Sequence, residues 1–232
     1  MGFAVAAAAV FGIANAAQAR SSKPVVLTPE QVAPALLATG DLDSSWTLAT
    51  GNSAPAETPS KTSGICNGPN APARAQAAKG SDVGSATLYQ DQSVGPYVVE
   101  DVWGFPSVKA AQVFLAATKS VGAPCKSKWD TANPTEANIR VHWTVAPLTI
   151  TKKGDQVLGL RQVATNVLAD GSDGTQDTVD AAYVRVGNNV VEVSRTAGIA
   201  DTNALETYTQ QALSKIGPLL KPGQVTTTTT SK

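Results

Sequence analysis

Short runs of alternating apolar and polar residues, separated by turn-forming residues, dominate this chain from residue 85 onward. In one of them Val141, Trp143 and Val145 alternate with more polar neighbours, a period of two that predicts a strand with one buried face. Clusters of Gly, Asn and Asp between the runs are typical of the tight turns that join antiparallel strands. The predicted strands cover 86–90, 97–105, 139–146, 156–169, 176–187 and 190–197.

Three segments have helical spacing instead. The first begins at Thr28, an N-cap that is followed by Pro29 and by Gln31 as its capping-box partner. The others cover about 106–120 and run from an N-cap at 201 to the Gly-Pro pair at 217–218. Because no helix stands between most successive strands, a parallel sheet is disfavoured. We therefore expect an α+β domain with an antiparallel sheet of about five to six strands and helices packed on one face.

The turn between the last two predicted strands determines which side chains face each other. If Asn188 and Asn189 are its two turn residues, the pairs are Val186 with Val191, Val184 with Val193, and Arg185 with Glu192. This register places the valines on the core face and an ion pair on the exposed face.

The N-terminus contains an uncharged apolar stretch, Phe3 to Ala19, which ends in the small-x-small sequence Ala17-Gln18-Ala19. Its length and ending predict a signal peptide over 1–19, and hence a secreted or envelope-associated, extracytoplasmic protein with no stable membrane span after cleavage. No Lys or Arg precedes the stretch, which departs from the usual pattern. The alternative is that the stretch is the end of a membrane anchor.

Cys66 and Cys125 are the only cysteines, and they have neither the spacing nor the His partners of a zinc site. In an oxidising compartment two such thiols are expected to form one disulfide. Closing a loop of about 60 residues removes roughly 4 kcal/mol of denatured-state entropy. The alternative is two buried free thiols.

The rest of the chain divides by composition. We predict a polar linker over 20–28, a folded domain over 29–220 and a disordered Thr-rich tail over 221–232. Within the domain, 49–84 is rich in Pro, Gly, Ser, Ala and Asn and is predicted to be a long irregular loop anchored by Cys66.

Charge and motifs exclude several function classes. The chain has 18 basic and 18 acidic residues, so the electrostatic footprint of a nucleic-acid binder is missing. Nucleophile-elbow, zinc-protease and phosphate-loop motifs are absent, and no cofactor or metal site is predicted. The only histidine, His142, is predicted on the polar face of a strand, where it is a surface or groove residue rather than a general base.

Carboxylates on the predicted strands leave one enzymatic possibility open. Two of them at a suitable separation could act as a glycosidase-like pair. The alternative is solvated strand faces with cross-strand pairs to Arg161, Arg185 and Arg195. The acidic residues near Gly171 and Gly174 lack a complete calcium-loop pattern and favour a turn. The five strand carboxylates are Glu100, Asp101, Asp177, Asp180 and Glu192.

The four tryptophans fall into two groups. Trp103 and Trp143 occupy inward-facing strand positions and are expected in the core. Trp46 and Trp129 lie in predicted loops, where an aromatic side chain more often edges a groove.

Several segments together resemble a known family. They are LTPEQVAPALL at 27–37, Gly40-Asp41-Leu42 followed by a Trp and a loop Cys, VWGFPSVKAAQVF at 102–114, and a second Cys near a Trp. Over about 27–220 the chain resembles the actinobacterial exported sensor-domain family, whose best-known member is the extracellular domain of mycobacterial serine/threonine kinase H. The resemblance implies helices against a twisted antiparallel sheet and a cleft for an unidentified ligand. This chain has one Cys pair where that domain has two disulfides, and no kinase domain is expected in it.

The leading hypothesis is an exported, non-enzymatic, sensor-like domain. Its ligand, an unknown small molecule or envelope component, is expected between the sheet and a covering helix or loop, with Trp46, Trp129 and His142 at the rim. The alternatives are an envelope-associated interaction module without a small-molecule pocket and, third, a carboxylate-dependent cell-wall hydrolase.

Overall fold

A computed structural model describes residues 25–49, 70–121, 129–132, 140–151 and 153–220, and for 129–132 it describes the backbone only. The helices are α1 (Pro29–Val32), extended by a 3₁₀ turn (Ala33–Ala35), α2 (Ala71–Ala77), α3 (Val108–Ser120) and α4 (Thr202–Leu220). The strands are β1 (Thr47–Leu48), β2 (Ser81–Tyr89), β3 (Tyr97–Gly104), β4 (Trp129–Ala132), β5 (Arg140–Leu148), β6 (Gln156–Val167), β7 (Asp173–Val186) and β8 (Asn189–Ala197).

All eight strands belong to one sheet in the order β1-β2-β3-β8-β7-β6-β5-β4, and every neighbouring pair is antiparallel. The α+β class and the antiparallel sheet are confirmed, but the expected five to six strands were too few. The two additional strands are the edge strands β1 and β4, of two and four residues. Such short strands carry too few residues to show an alternating pattern. β4 also places Trp129 in a strand rather than a loop.

Helices cover both faces of the sheet, so the prediction that they pack on one face is wrong. On β3 the consecutive residues Val102 and Trp103 belong to two different core clusters, since neighbouring strand residues point to opposite sides. Face 1, which carries Val102, packs against α1, the 3₁₀ turn and α4. Face 2, which carries Trp103, packs against α2 and α3.

Part of the predicted loop over 49–84 is regular structure, because α2 and the start of β2 lie inside it. Asn70 caps α2, and its side chain accepts a hydrogen bond of 3.0 Å from the Ala73 amide. Pro72 lies in the first turn, where its missing N–H costs nothing, and Ala fills much of the remaining helix. The residues 50–69, including Cys66, lie outside the described part.

The hairpin between β7 and β8 forms, but its predicted register is wrong by two residues. Val186 faces Asn189, Val184 faces Val191 and Tyr183 faces Glu192. The turn residues are therefore Gly187 and Asn188, with φ of +60° at Gly187. Glycine at the first central position matches a type II′ hairpin turn, whose twist suits the flanking strands.

The described helix ends largely follow the predicted caps. The Thr28 amide donates to Gln31 Oε1 at 3.0 Å, and the Ala204 amide donates to Asp201 Oδ1 at 3.0 Å. The prediction that Gly217-Pro218 ends the last helix is wrong, because α4 continues to Leu220, which is buried in the face 1 core. No helix among the described residues is both long enough and apolar enough to cross a membrane.

Candidate functional site

A carboxylate lies inside the apolar layer of face 1. Glu100 on β3 is fully buried, between Val98 and Val102, which belong to the face 1 core. Its Oε2 accepts a hydrogen bond of 2.6 Å from the Leu37 amide, at the end of the α1 region. Its Oε1 has no hydrogen-bond partner among the described residues. A buried polar oxygen is costly without a hydrogen bond, so this atom can take a further hydrogen-bond partner.

The segment Leu36–Asp41, hereafter the strap, connects α1 to the region before β1. Lys215 on α4 binds the strap at both ends, since its Nζ donates to the Leu36 carbonyl and to Asp41 Oδ2. The Ala38 amide also donates to Asp41 Oδ2, at 2.6 Å. The strap is therefore tied to α4 through Lys215 and to the sheet through Glu100.

Burial raises the pKa of Glu100 to about 7. The Leu37 amide and the positive charge of Lys215 both lower this pKa, whereas the negative charge of Asp41 raises it. Removal of the ionised carboxylate from water is the largest of these effects, because no ion-pair partner compensates it directly in the described contacts. Glu100 therefore titrates in the neutral range rather than near pH 4.5.

Trp46, expected at a groove rim, lies instead in the face 1 core with 1% of its surface exposed. Its ring meets the ring of Tyr208 on α4 edge to face, with 5.4 Å between the centroids. The indole Nε1 of Trp46 is buried and makes no hydrogen bond of normal geometry among the residues described, although Trp46 interacts with the Asp43 carboxylate and helps to lower its pKa. Face 1 thus buries a donor without a normal hydrogen bond as well as the unpartnered acceptor of Glu100.

His142 and Trp129 lie towards the opposite edge of the sheet from Trp46. His142 on β5 is paired with Asp130 of β4, the residue after Trp129. It shares its strand face with Leu148, which packs against the face 1 core, so it lies on face 1 as well. Its Nε2 is buried and has no partner in the described part of the chain. The three predicted rim residues therefore do not form one cluster, and the Trp129 side chain lies outside the described residues.

The other two tryptophans differ in burial. Trp103 is buried in the face 2 core as expected, and its Nε1 donates to Glu192 at 3.1 Å. Trp143 on β5 is partly exposed, although it also occupies a predicted core position.

The strand carboxylates do not converge on one face. Glu100 and Asp180 lie on face 1, where Asp180 forms an ion pair of 2.6 Å with Arg161 across β6 and β7, as the alternative interpretation predicted. Asp101 and Glu192 lie opposite each other on face 2. Asp177 is exposed on β7.

The predicted Arg185–Glu192 pair does not form, because of the two-residue register shift. Arg185 pairs instead with Asp155 at 3.1 Å. Glu192, expected to be exposed, is 9% exposed and faces the buried Tyr183. In the predicted turn near Gly171, Asp170 accepts a hydrogen bond from the Ser172 amide at 2.9 Å, which closes a local turn.

The proposed disulfide involves Cys66 and Cys125, which both lie outside the described residues. It stays a prediction, and we expect non-reducing peptide mapping of the secreted protein to recover the two cysteines in one linked pair that reduction separates. A Cys66→Ser variant should leave Cys125 open to alkylation without reduction. Alkylation of both thiols in unreduced secreted wild-type protein would contradict the pairing.

Comparison with known proteins identifies a shared fold. No protein-family model and no curated protein matches the chain. Among solved structures it is similar to the extracellular domain of PknH from Mycobacterium tuberculosis, with a TM-score of 0.54 and 14% sequence identity. The match covers 84% of this chain and 98% of that one. The chain therefore has a fold like that of the PknH extracellular domain, as the sequence resemblance implied.

Proposed function

We propose that this chain is an exported, non-enzymatic, sensor-like domain that binds a small molecule or envelope component between the sheet and the helices of face 1. The observation that carries the proposal is the likeness in fold to an extracellular domain, over 98% of that domain. The uncharged N-terminal stretch supports an extracytoplasmic location. The likeness supports a PknH-like fold, and membership of the actinobacterial exported sensor-domain family is proposed from the quoted sequence segments.

The proposed binding position follows from the unpartnered polar atoms of face 1. Glu100 Oε1 requires a hydrogen-bond donor when the carboxyl is ionised and an acceptor when it is protonated, and the buried Trp46 Nε1 can donate to an acceptor. Trp46 packs on Tyr208 of α4, and the positive charge of Lys215 on the same helix lowers the pKa of Glu100. Tyr208 and Lys215 are separated by two helical turns, which is about 10 Å along α4. A ligand with both donor and acceptor groups, seated under α4, would satisfy the two atoms. His142 and Trp129 remain candidates for the rim at the other edge.

The first test is recovery of the native protein from culture and mass spectrometry of any molecule that co-purifies with it. A ligand that binds only the folded state stabilises it by about 2.7 kcal/mol when the free ligand concentration is 100 times the dissociation constant. The melting temperature therefore rises as the ligand concentration rises. We therefore expect that, when an envelope extract is separated into fractions, at least one fraction raises the melting temperature of the ligand-free protein.

Two matched variants locate the site. Trp46→Phe keeps an aromatic ring but removes the unpartnered N–H, so it should weaken the ligand-induced shift in melting temperature. Trp103→Phe removes an N–H that already donates to Glu192 on face 2, so it should retain the shift. His142→Ala should change binding only modestly. Equal shifts in both tryptophan variants would contradict a site on face 1.

Two outcomes would replace the proposal. If no fraction shifts the melting temperature but a protein partner is captured on a flat surface, the chain is an interaction module. If a peptidoglycan, ester or glycoside substrate is turned over and a single carboxylate variant abolishes that turnover, the chain is a hydrolase.

A further inference from the structure

Polar contacts attach the strap to the body of the domain. One is near in sequence, since Thr39 Oγ1 accepts a hydrogen bond of 3.1 Å from the Leu48 amide of β1, and the others involve residues far away in sequence. The Leu37 amide donates to Glu100 on the sheet, 63 residues away. Lys215 of α4 holds the Leu36 carbonyl and the Asp41 carboxylate. Leu36 and Leu37 add apolar contacts in the face 1 core. Glu100 therefore bonds to the middle of the strap, so a change in the charge of Glu100 affects how firmly the strap is held on the sheet.

The surroundings of Glu100 offer little to stabilise a negative charge. Across the neighbouring strands it is paired with Ala86 of β2 and Val193 of β8, both buried and apolar. The charged groups that act on it are Lys215 from α4 and Asp41 from the strap, and they have opposite signs. Because Lys215 donates to Asp41, its charge is largely compensated there. The ionised form of Glu100 is left with one amide donor and one unpartnered oxygen.

We propose that Glu100 is a proton-controlled latch for the strap: the strap stays packed on face 1 while the carboxyl is protonated, and it opens more often once the carboxyl is ionised. Opening exposes the carboxylate to water, which solvates it better than the Val98 and Val102 side chains do. The proposal goes beyond the proposed function and applies to the ligand-free protein.

The direction of the effect follows from the two states of Glu100. With the strap closed its pKa is about 7, and in an exposed carboxyl the ordinary value is 4.5. The closed state therefore binds the proton more tightly, so closure is strongest below pH 4.5 and weakens as the pH rises to about 7. With these two pKa values, the equilibrium constant for opening of the strap increases about tenfold between pH 6 and pH 8.

Amide hydrogen exchange at Leu37 tests this latch, because the amide donates to Glu100 only in the closed state. The exchange rate is divided by the intrinsic rate at each pH to give a protection factor. We expect the Leu37 protection factor of the wild-type protein to fall about tenfold between pH 6 and pH 8. The Val193 amide, in the neighbouring strand, serves as the internal reference for unfolding of the whole domain. That unfolding also exposes Glu100, so the Val193 protection factor should fall by a similar factor but from a value well above that of Leu37.

Glu100→Gln keeps the shape and the acceptor for Leu37 but cannot ionise, so its Leu37 protection factor should be the same at both pH values. The control Glu206→Gln removes an exposed carboxylate that is bonded to Thr151 and should retain the tenfold fall. The latch is wrong if wild-type Leu37 protection is constant over this range, if the Leu37 and Val193 protection factors are equal at both pH values, or if Glu100→Gln retains the fall. Because two of these readings use the wild-type protein, they do not depend on the folding of a variant.

Discussion

Replacing Val193 by Asp is expected to lower the free energy of unfolding by about 4 kcal/mol or more. Val193 has no exposed surface and lies on face 1, between Ala182 of β7 and Glu100 of β3. A carboxylate at this position has no basic partner across either neighbouring strand, and it faces a second carboxyl group. Urea unfolding of the variant and the wild-type protein at the same pH measures the loss.

Two controls separate burial of charge from loss of packing. Val193→Ala removes the same apolar contacts without adding a charge and should cost about 2 kcal/mol. Val113→Asp introduces the same carboxylate on α3, at a side chain that is 49% exposed, and should cost under about 1 kcal/mol. Glu192→Gln is not a neutral comparison, because Glu192 accepts the Trp103 indole N–H in the face 2 core. Equal losses for the two Asp variants would contradict the position of Val193 in the core.

The sequence predicted the long strands and their core faces because alternation is a local property. Val193 is on the core face in the predicted register and in the observed one, since a shift of two residues keeps every side chain on its face. The same shift changes every cross-strand partner, which is why Arg185 pairs with Asp155 and not with Glu192. Face and register are therefore separate predictions, and only the first was correct.

The elements that were missed have weak local signals. The edge strands β1 and β4 are too short to alternate visibly. α2 has seven residues within a segment whose Pro, Gly and Asn content is typical of loops. The prediction of helices on one face failed for a different reason. α3 was predicted, but no local pattern in its sequence specifies that it packs on face 2, opposite α1 and α4.

The sequence indicated only part of the candidate site. Glu100 was among the strand carboxylates, and its position between Val98 and Val102 on one strand face was a signal that it is buried. Its contact with Leu37 joins residues 63 positions apart, and the contact of Lys215 with Asp41 joins residues 174 apart. Contacts of this range depend on the packing of α1 and α4 on the sheet, which no local pattern in a single sequence specifies.

The predicted turn treated Asn188 as a solvent-exposed residue, and it did not include the long-range hydrogen bonds that the Asn188 side chain makes. As one of two solvent-exposed turn residues it would tolerate substitution, but in the structure it is 3% exposed. Its Oδ1 accepts from the Val25 amide at 3.0 Å, and its Nδ2 donates to the carbonyls of Val25 and Phe105 at 3.1 and 2.6 Å. One side chain thus joins the start of the described chain, the end of β3 and the β7–β8 turn.

Asn188→Ala is therefore expected to cost about 3 kcal/mol, because it leaves an amide and a carbonyl without their partners in a largely buried position. Asn189→Ala is the matched control. The Asn189 side chain is equally buried, but it makes one long hydrogen bond, 3.3 Å to the Val25 carbonyl, and its Oδ1 has no partner. Its removal should cost under about 1 kcal/mol, since it gives up one weak bond and also removes an unpartnered oxygen. Urea unfolding of the two variants distinguishes the registers: the observed turn requires the larger loss at Asn188, whereas small and equal losses would indicate that both asparagines are turn residues facing solvent.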